Sequence, residues 1–500
     1  MKNFKILLFY PNEPLVGIAP SNLALLSACL KQAGFQTKLF DCSTYRSIKG
    51  ETQDDLRSKM GLVKKTAIDD YIRLKETNIY NDFVKMVEEY KPDLIGITLV
   101  DSTMRFSLSF IEKIKHLKIP IVTGGVGSMF LYEKILNSNL VKYVCVGEGE
   151  EAIVELCENL HENKDTTNIR NIYTTDSNGS IIKNPMRPLI DLNDLPLPDF
   201  TIYDDMRFYR PMMGEVKRML QIDFDRGCRH GCTYCAAPSL RKIFVKGGCG
   251  RYYRVKTNDK IFEEMKYLIK TFNLDFVWIS SETLLDLTLE QFKEFANRYA
   301  KEINLPFWCQ SRLDTFTEEK TKILAEIGCK NISIGLEHGD EVIRKKMLNK
   351  HIPNEIIIDA IKLLAKYDIF PTLNNMIGFP DETREDIFTT VRFNKEISKI
   401  LKGKHNLNVF TFMPFSGTKL RQLCIDKGYI DPTYEITLDD TVFSKSLLKM
   451  PSITADELYG LEKTLALYIL LPEKYWGDIK IAEQDNEEGQ QMFEKLIKKL

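Results

Sequence analysis

The sequence predicts an α/β protein built from two successive parallel sheets. Short apolar runs of strand length alternate with segments of helical periodicity along most of the 500 residues, which is typical of parallel strands joined by helices. The alternation stops over residues 166–215, where Asn-Gly-Ser and a proline-rich segment occur, and then restarts. We therefore expect an N-terminal Rossmann-like doubly wound parallel sheet (1–165), a linker (166–215), a partial (β/α)6 TIM-type barrel (216–418) and a small, mostly helical C-terminal region (419–500).

The composition fits a globular protein of several domains and excludes some classes of function. Apolar residues make up 44% and charged residues 28% of the chain, which is enough to build real cores. Because 69 Lys and Arg oppose 70 Asp and Glu, the overall charge suggests no nucleic-acid partner. The first apolar run has about five residues, too few for a signal peptide, and no run reaches the ~18 residues of a membrane span. We expect a cytoplasmic protein.

The N-terminal segment is predicted to contain five strands and three helices. The strands are 6–10, 37–42, 93–100, 119–125 and 142–150, and the helices are 21–34, 109–117 and 150–160. Ser21 or Asn22 is a candidate N-cap of the first helix, and Gly34 is a candidate stop. Sheets of this type bind ligands at the carboxyl ends of their strands, where the glycine-rich segments 123–128 and 146–150 would let a bulky planar ligand approach the backbone.

The second half repeats the pattern with six predicted strands. These are 221–226, 275–280, 306–312, 331–337, 370–378 and 406–414, separated by helical segments that include 259–272, 288–302, 317–327 and 355–367. Such a barrel places its active site at the carboxyl ends of the strands.

Three cysteines, Cys228, Cys232 and Cys235, follow the first barrel strand with the spacing C-x3-C-x2-C. A structural zinc site needs four ligands, usually in paired C-x2-C units, and no second Cys or His pair lies nearby. Thiolates also hold iron–sulfur clusters, and three of them would leave one iron of a [4Fe–4S] cluster open to a substrate. The pattern favours such a cluster, while zinc and three unrelated buried cysteines remain the alternatives.

The triplet, with Tyr234 before its last cysteine, resembles the motif of the radical S-adenosylmethionine (SAM) superfamily. In that family the open iron binds the amino and carboxylate groups of SAM, and an electron from the cluster cleaves SAM to give a 5′-deoxyadenosyl radical. Segments 335–339, 347–350, 377–383 and 410–418 are similar to those of the branch with cobalamin-dependent members. The resemblance implies SAM contacts from Tyr234, Gln310, Arg312, Glu337 and Gly378. A structural ion pair is the alternative for Glu337 and Arg312, and Ser281-Glu282 replaces the family's usual acidic pair.

The N-terminal half resembles the cobalamin-binding domain of the same branch. The resemblance rests on the segment 17–35 and on the two glycine-rich segments, and it implies cobalamin contacts from Thr98, Gly124, Gly125, Gly147, Glu148 and Gly149. None of the six histidines lies in a D-x-H-x-x-G motif. We therefore expect the lower face of the cobalt to lack a histidine ligand.

Together the resemblances imply a [4Fe–4S] cluster, SAM and cobalamin as cofactors, and a methyltransferase acting on an unactivated carbon. They also imply a small-molecule, lipid or peptide substrate and an external one-electron reductant of flavodoxin or ferredoxin type. A radical cyclisation, rearrangement or oxidation, a methylthiotransferase, and a non-catalytic corrinoid or redox sensor are the alternatives. Among the remaining residues, Cys309 is expected to pack or to quench a substrate radical, Cys249 to be exposed, and Trp278 and Trp308 to lie in the core.

Overall fold

Two seven-stranded sheets carry most of the fold. The computed structural model describes residues 2–13, 18–46, 66–440 and 444–500. Gly17, where the predicted pattern 17–35 begins, and residues 47–65 lie outside the described residues.

The first sheet has the strand order β2-β1-β3-β4-β5-β6-β7. Its strands are β1 (Lys5–Tyr10), β2 (Gln36–Asp41), β3 (Leu94–Thr98), β4 (Ile121–Gly124), β5 (Tyr143–Cys145), β6 (Ile172–Thr175) and β7 (Ile181–Lys183). The first five are parallel, as predicted. Helices α1 (Ser21–Gln32), α2 (Ile79–Tyr90), α3 (Met104–Ile114), α4 (Val126–Asn137) and α5 (Glu150–His161) cover the sheet.

Strands β6 and β7 form an antiparallel hairpin within the segment that we expected to be a linker. The hairpin turns at Asn178 and Gly179, where Gly179 has φ +83° and the Asp176 carboxylate accepts hydrogen bonds from the backbone N–H groups of Asn178 and Ser180, both at 2.8 Å. Asn-Gly is a typical hairpin turn. The same dipeptide is common in loops, which is why the sequence pattern indicated a linker.

The N-cap prediction for α1 was wrong, whereas the stop was right. Pro20 is the N-cap residue, and its side chain has no polar atom that could cap the helix. The hydroxyl of Ser21, the first residue of the helix, hydrogen-bonds to the Asp223 carboxylate. Gly34 follows the end of the helix with φ +89°, in the left-handed region that favours glycine.

The second sheet has the order β16-β15-β14-β13-β12-β9-β8 and forms the partial barrel. Its six parallel strands are β9 (Glu215–Asp223), β12 (Phe276–Ser280), β13 (Phe307–Ser311), β14 (Cys329–Glu337), β15 (Phe370–Ile377) and β16 (Asn406–Thr411), and β8 (Tyr209–Met212) is antiparallel to β9. A short ribbon, β10 (Asp225–Arg226) with β11 (Arg254–Val255), follows β9. The predicted (β/α)6 architecture is confirmed.

Helices surround the barrel and continue beyond it. They are α6 (Ala237–Lys246), α7 (Asn258–Phe272), α8 (Leu289–Glu302), α9 (Glu318–Glu326), α10 (Glu341–Lys346), α11 (Asn354–Lys366), α12 (Arg384–Ile400), α13 (Lys419–Asp426), α14 (Ala455–Leu470), α15 (Trp476–Ala482) and α16 (Glu487–Ile497). The C-terminal helix α14 packs on the last barrel strand, β16, and on α12. No helix among the described residues is both long enough and apolar enough to cross a membrane.

The loop after β16 joins the barrel to the N-terminal sheet. The Asp101 carboxylate accepts a hydrogen bond from the backbone N–H of Ser416 at 2.5 Å. Gly417 has φ +78°, and a Cβ there would overlap the ring of Phe130 in α4. This contact gives a physical reason for the glycine in the segment 410–418.

Candidate cofactor sites

A cavity of about 250 Å³ lies at the carboxyl ends of the first sheet's strands, where the barrel meets them. All six residues predicted to contact cobalamin line it: Thr98, Gly124, Gly125, Gly147, Glu148 and Gly149. Asp223 and Arg226, at the carboxyl end of the first barrel strand, complete the wall. The catalytic end of the barrel therefore faces the ligand-binding edge of the first sheet.

Two glycines in the wall of this cavity are required by the packing of the protein itself. Gly125 has φ +92°, and a Cβ there would lie 2.8 Å from the Leu99 carbonyl oxygen. Gly147 has φ +131°, and its Cβ would lie 2.9 Å from the Asn171 side chain. The remaining wall is largely aliphatic, and none of the described lining residues is a histidine. These residues fit a corrin without a histidine ligand, although the contacts themselves remain predictions.

Glu148 has a further role that the sequence did not indicate. Its carboxylate contacts the guanidinium of Arg254 at 2.6 Å and that of Arg226 at 3.0 Å. It also accepts a hydrogen bond from the backbone N–H of Ile190 at 3.0 Å. Burial alone would raise the pKa of Glu148, but Arg254 and Arg226 lower it below its ordinary value. This ion pair connects the glycine-rich edge of the first sheet to the residue that precedes the cysteine motif.

The three motif cysteines lie on the loop between β10 and α6, as predicted. The loop is held by the segment 347–350: the Thr233 hydroxyl donates to the Met347 carbonyl at 2.6 Å, and the Asn349 amide donates to the Gly231 carbonyl at 2.8 Å. Cys228 and Cys232 are half-buried, and Cys235 is exposed. The loop thus has two anchors, the barrel strand and the 347–350 segment.

The donor set fits an iron–sulfur cluster better than a single metal ion. Among the described residues, no three Cys, His, Asp or Glu side chains converge on one ion position. Burial, with smaller contributions from Glu282, Cys235 and Cys232, raises the pKa of the Cys228 thiol to about 12, so a positive metal centre is needed to hold this group as a thiolate. In a cluster, each thiolate binds a separate iron.

Two of the predicted SAM residues are brought together directly. The Tyr234 hydroxyl donates a hydrogen bond to Glu337 Oε1 at 3.0 Å, and Lys350 Nζ lies 3.0 Å from the same oxygen. Glu337 has φ +67°, a costly conformation for a residue other than glycine and one that tends to occur at functional sites. The ion pair expected as the alternative for Glu337 is therefore present, but its partner is Lys350.

The other predicted SAM residues are arranged differently. Arg312 makes a bidentate pair with Asp314, at 2.8 and 3.0 Å. Gln310 lies half-buried on the third parallel strand of the barrel, and its amide has no hydrogen-bond partner among the described residues. Gly378 has φ +85°, and a Cβ there would lie 3.2 Å from Leu458 of α14. Arg312 lies near enough to Tyr234 and Cys232 to interact with both electrostatically, whereas no hydrogen bond joins Gln310 or Gly378 to Tyr234 or Glu337 in the described part of the chain.

A buried His–Glu pair behind this site was missed from the sequence. His338 Nε2 lies 2.9 Å from Glu382 Oε1, and both side chains are essentially inaccessible. The backbone N–H of Asp340 donates to His338 Nδ1 at 2.9 Å, so Nε2 carries the proton and donates to Glu382. Glu382 also accepts from the backbone N–H of Phe379 at 3.0 Å. The pair links the ends of β14 and β15, and its only sequence signal was its occurrence within two of the recognised segments.

The inner face of the barrel is polar and aromatic. Trp278 and Trp308 stack with their centroids 4.7 Å apart and their planes 13° apart. Both indole N–H groups are buried without a hydrogen-bond partner. The two rings are half-buried on the strand face that also carries Gln310, so the core prediction for them was incomplete.

Of the two alternatives for Cys309 the structure supports packing, whereas the prediction for Cys249 was wrong. Cys309 lies on the opposite strand face from Trp308, fully buried, with its Sγ 3.9 Å from that of Cys329, so it packs and does not reach the interior of the barrel. Cys249 is 2% exposed and belongs to an apolar cluster with Met186, Leu240 and Phe244. Its glycine neighbours had suggested exposure, but long-range packing covers it.

Comparisons with known proteins agree with these features. The radical SAM superfamily model matches residues 222–393, and the B12-binding domain model matches residues 63–157. An uncharacterized methyltransferase from Pyrococcus horikoshii is 26% identical over 70% of this chain and 73% of its own length. The cytidylyl-2-hydroxyethylphosphonate methyltransferase of Streptomyces wedmorensis is 22% identical over 87% of this chain and 82% of its own.

A solved structure shares the fold. The radical SAM methyltransferase TsrM from Kitasatospora setae, determined with cobalamin and a [4Fe–4S] cluster bound, superposes with a TM-score of 0.60 at 18% identity. The match covers 86% of this chain and 76% of that one.

Proposed function

Because the chain belongs to the cobalamin-binding radical SAM family, we propose that it is a cobalamin-dependent methyltransferase that methylates an unactivated carbon. The proposal rests on one observation: the carboxyl edge of the first sheet faces the carboxyl end of the barrel strands. The cavity at the first sheet is closed by Asp223 and Arg226 of the barrel, and Cys228 follows two residues later. A substrate at the mouth of the barrel would therefore lie between the two cofactors.

The residues of the site support separate tasks. We assign cluster binding to Cys228, Cys232 and Cys235, and SAM orientation to the Tyr234–Glu337–Lys350 group. When bound, the cluster and SAM supply a carbon-centred radical, and cobalamin supplies a transferable methyl group. The protein's own contribution is to hold both cofactors at one opening and to keep water out. The direct contact between the first sheet and the barrel supports the second task.

The remaining assignments follow from the architecture. We assign residues 1–165 to cobalamin binding and 216–418 to radical chemistry, with 166–215 as the connection between them. The C-terminal residues 419–500 would cover the outer face of the last barrel strand. We also infer a cytoplasmic enzyme with a small-molecule, lipid or peptide substrate and an external one-electron reductant. All eleven cysteines are free thiols, which fits a reducing compartment.

The first test is SAM chemistry with the cluster rebuilt under anaerobic conditions. With dithionite and methyl-labelled SAM, we expect 5′-deoxyadenosine to form and label to reach the corrinoid fraction. Cys232→Ala should lose iron and abolish 5′-deoxyadenosine formation. Cys29→Ala, a half-buried cysteine in α1, is the matched control and should behave as the wild type.

The outcomes separate the alternatives. Cleavage of SAM without label in the corrinoid would favour a cyclisation, rearrangement or oxidation. Absence of cleavage in a protein that carries an intact cluster would contradict an enzymatic role and favour a sensor.

A further inference from the structure

The sequence around the cysteine motif is strongly basic, although the whole chain is nearly neutral. The 31 residues from Arg226 to Lys256 contain eight Lys or Arg residues and no Asp or Glu, whereas the chain as a whole has a net charge of −1. The eight are Arg226, Arg229, Arg241, Lys242, Lys246, Arg251, Arg254 and Lys256. Three of them, Arg226, Arg254 and Lys256, pair with buried or largely buried glutamates. Such ion pairs do not explain the other five basic residues.

Helix α6 presents part of this charge to solvent. Its inner face, with Leu240 and Phe244, packs into the apolar cluster of the first sheet, as expected for an amphipathic helix. Its outer face carries Lys242 and Lys246, both exposed. Neither lysine makes an ion pair or hydrogen bond with any described residue. The charge is therefore available to a partner.

We call the exposed residues Arg229, Lys242, Val245, Lys246 and Arg251 the basic face. Val245 is 63% exposed, more than any other large apolar side chain in the described part of the chain. Val245 adds one apolar contact point to this cationic surface, whose charge is its main feature. Arg251 likewise has no described partner, and Arg229 stacks on the Tyr253 ring at 4.3 Å.

The basic face lies beside the cysteine loop. Arg229 is within the motif, and α6 begins two residues after Cys235, which is itself exposed. Arg241, on the same helix, donates hydrogen bonds to the Cys228 and Arg229 carbonyl groups at 3.3 and 2.5 Å. Lys345 and Lys346, exposed at the end of α10, directly precede the segment 347–350 that holds the loop, and the Glu282 carboxylate acts electrostatically on Cys228. The surface is thus both cationic and close to the group that must receive an electron.

We propose that the basic face docks an acidic one-electron carrier protein of the flavodoxin type. The proposal rests on the proposed function, since it requires a cluster on Cys228, Cys232 and Cys235. One electron leaves the carrier's reduced flavin and reduces the oxidised cluster by one electron, with no bond made or broken. Opposite charges would speed the encounter and orient the carrier toward the cluster, an effect that salt suppresses.

The test compares two reductants acting on the same enzyme. The double variant Lys242→Glu and Lys246→Glu is compared with Lys301→Glu and Lys330→Glu. The control lysines are also exposed and have no described ion pair, but they lie at the opposite, amino-terminal end of the barrel strands. Formation of 5′-deoxyadenosine is measured at low ionic strength with dithionite, and separately with flavodoxin, its reductase and NADPH.

We expect the flavodoxin-driven rate of the α6 variant to fall at least tenfold, while its dithionite-driven rate stays within twofold of wild type and the control loses neither. Added salt should reduce the difference. An unchanged flavodoxin-driven rate would overturn the proposal. Equal loss with both reductants would also overturn it, since it would indicate damage to the cluster. A wild-type enzyme that cleaves no SAM with dithionite would overturn the proposed function as well.

Discussion

A buried carboxylic acid in the C-terminal helix makes the stability of the protein depend on pH. Glu462 of α14 is fully buried. Its Oε2 accepts a hydrogen bond from the Thr411 hydroxyl at 2.8 Å, and its Oε1 has no partner. Burial raises the pKa of Glu462 to about 8, and the bond from Thr411 only partly opposes this. The folded protein therefore holds the neutral acid at neutral pH.

The size of the effect follows from the two pKa values. In the unfolded chain the group ionises near its ordinary 4.5, and in the folded chain near 8. The stabilisation is complete below the unfolded value and is lost as pH rises toward the folded value, at about 1.4 kcal/mol per pH unit. Across the whole interval the loss amounts to at most about 5 kcal/mol.

Glu462→Gln tests this because the amide is neutral at every pH and can still accept from Thr411. Thermal unfolding of the reduced protein is measured between pH 5.5 and 7.5. The wild type loses about 2.7 kcal/mol over these two pH units, and ~1 kcal/mol shifts the melting temperature of a chain of this length by about 1 °C. The melting-temperature advantage of the variant over wild type should therefore grow by about 3 °C from the acid end to the other. Glu488→Gln, an exposed residue on α16, is the control and should show no such trend. A difference that does not change with pH would refute the reasoning.

Three further predictions concern the cofactor sites. Gly125→Val should reduce corrinoid retention at least tenfold without changing the iron content. Gly125 has φ +92°, and a Cβ there would lie 2.8 Å from the Leu99 carbonyl oxygen, so the backbone that lines the cavity would have to move. Gel filtration with hydroxocobalamin measures retention, and normal retention would contradict the site. Tyr234→Phe should raise the KM for SAM about three- to tenfold. Glu337 loses one of its two partners, and one hydrogen bond is worth about 1 kcal/mol. A steady-state titration with an unchanged KM would show that the hydroxyl does not orient SAM. Glu148→Gln should destabilise the sheet–barrel contact by about 2–5 kcal/mol and increase cleavage in limited proteolysis. The control, Glu151→Gln, changes an exposed glutamate that pairs with Arg187 and should have no effect. Equal cleavage of the two variants would contradict the role of the buried pair.

The features that local sequence determines were predictable. The alternation of strands and helices predicted both sheets. The spacing of the cysteines, and their position just after a strand, predicted where the candidate cluster loop lies. Thr98 and the glycine pairs line one cavity because parallel strands end at the same edge of a sheet. The strands and the cysteine loop needed only periodicity and spacing, whereas the choice of Thr98 and the glycines came from the family resemblance.

The features that depend on distant residues were not predictable. Lys350 meets Glu337 from 13 residues away, and Arg226 meets Glu148 from 78 residues away, and no periodicity encodes such pairs. Cys249 was expected to be exposed because glycines surround it, yet Met186 and helix α6 cover it. The hairpin over residues 172–183 was hidden because its turn dipeptide is equally common in loops.

The most direct test of the central claim is whether one chain retains both metal cofactors. The protein is purified anaerobically, its cluster is rebuilt, hydroxocobalamin is added, and the excess is removed by gel filtration. We expect a protein peak that contains close to one corrinoid and one [4Fe–4S] cluster per chain, with the corrinoid spectrum of a cobalt that lacks a histidine ligand. A peak that carries the cluster but no corrinoid would contradict the account and leave a radical SAM enzyme whose N-terminal sheet has another purpose.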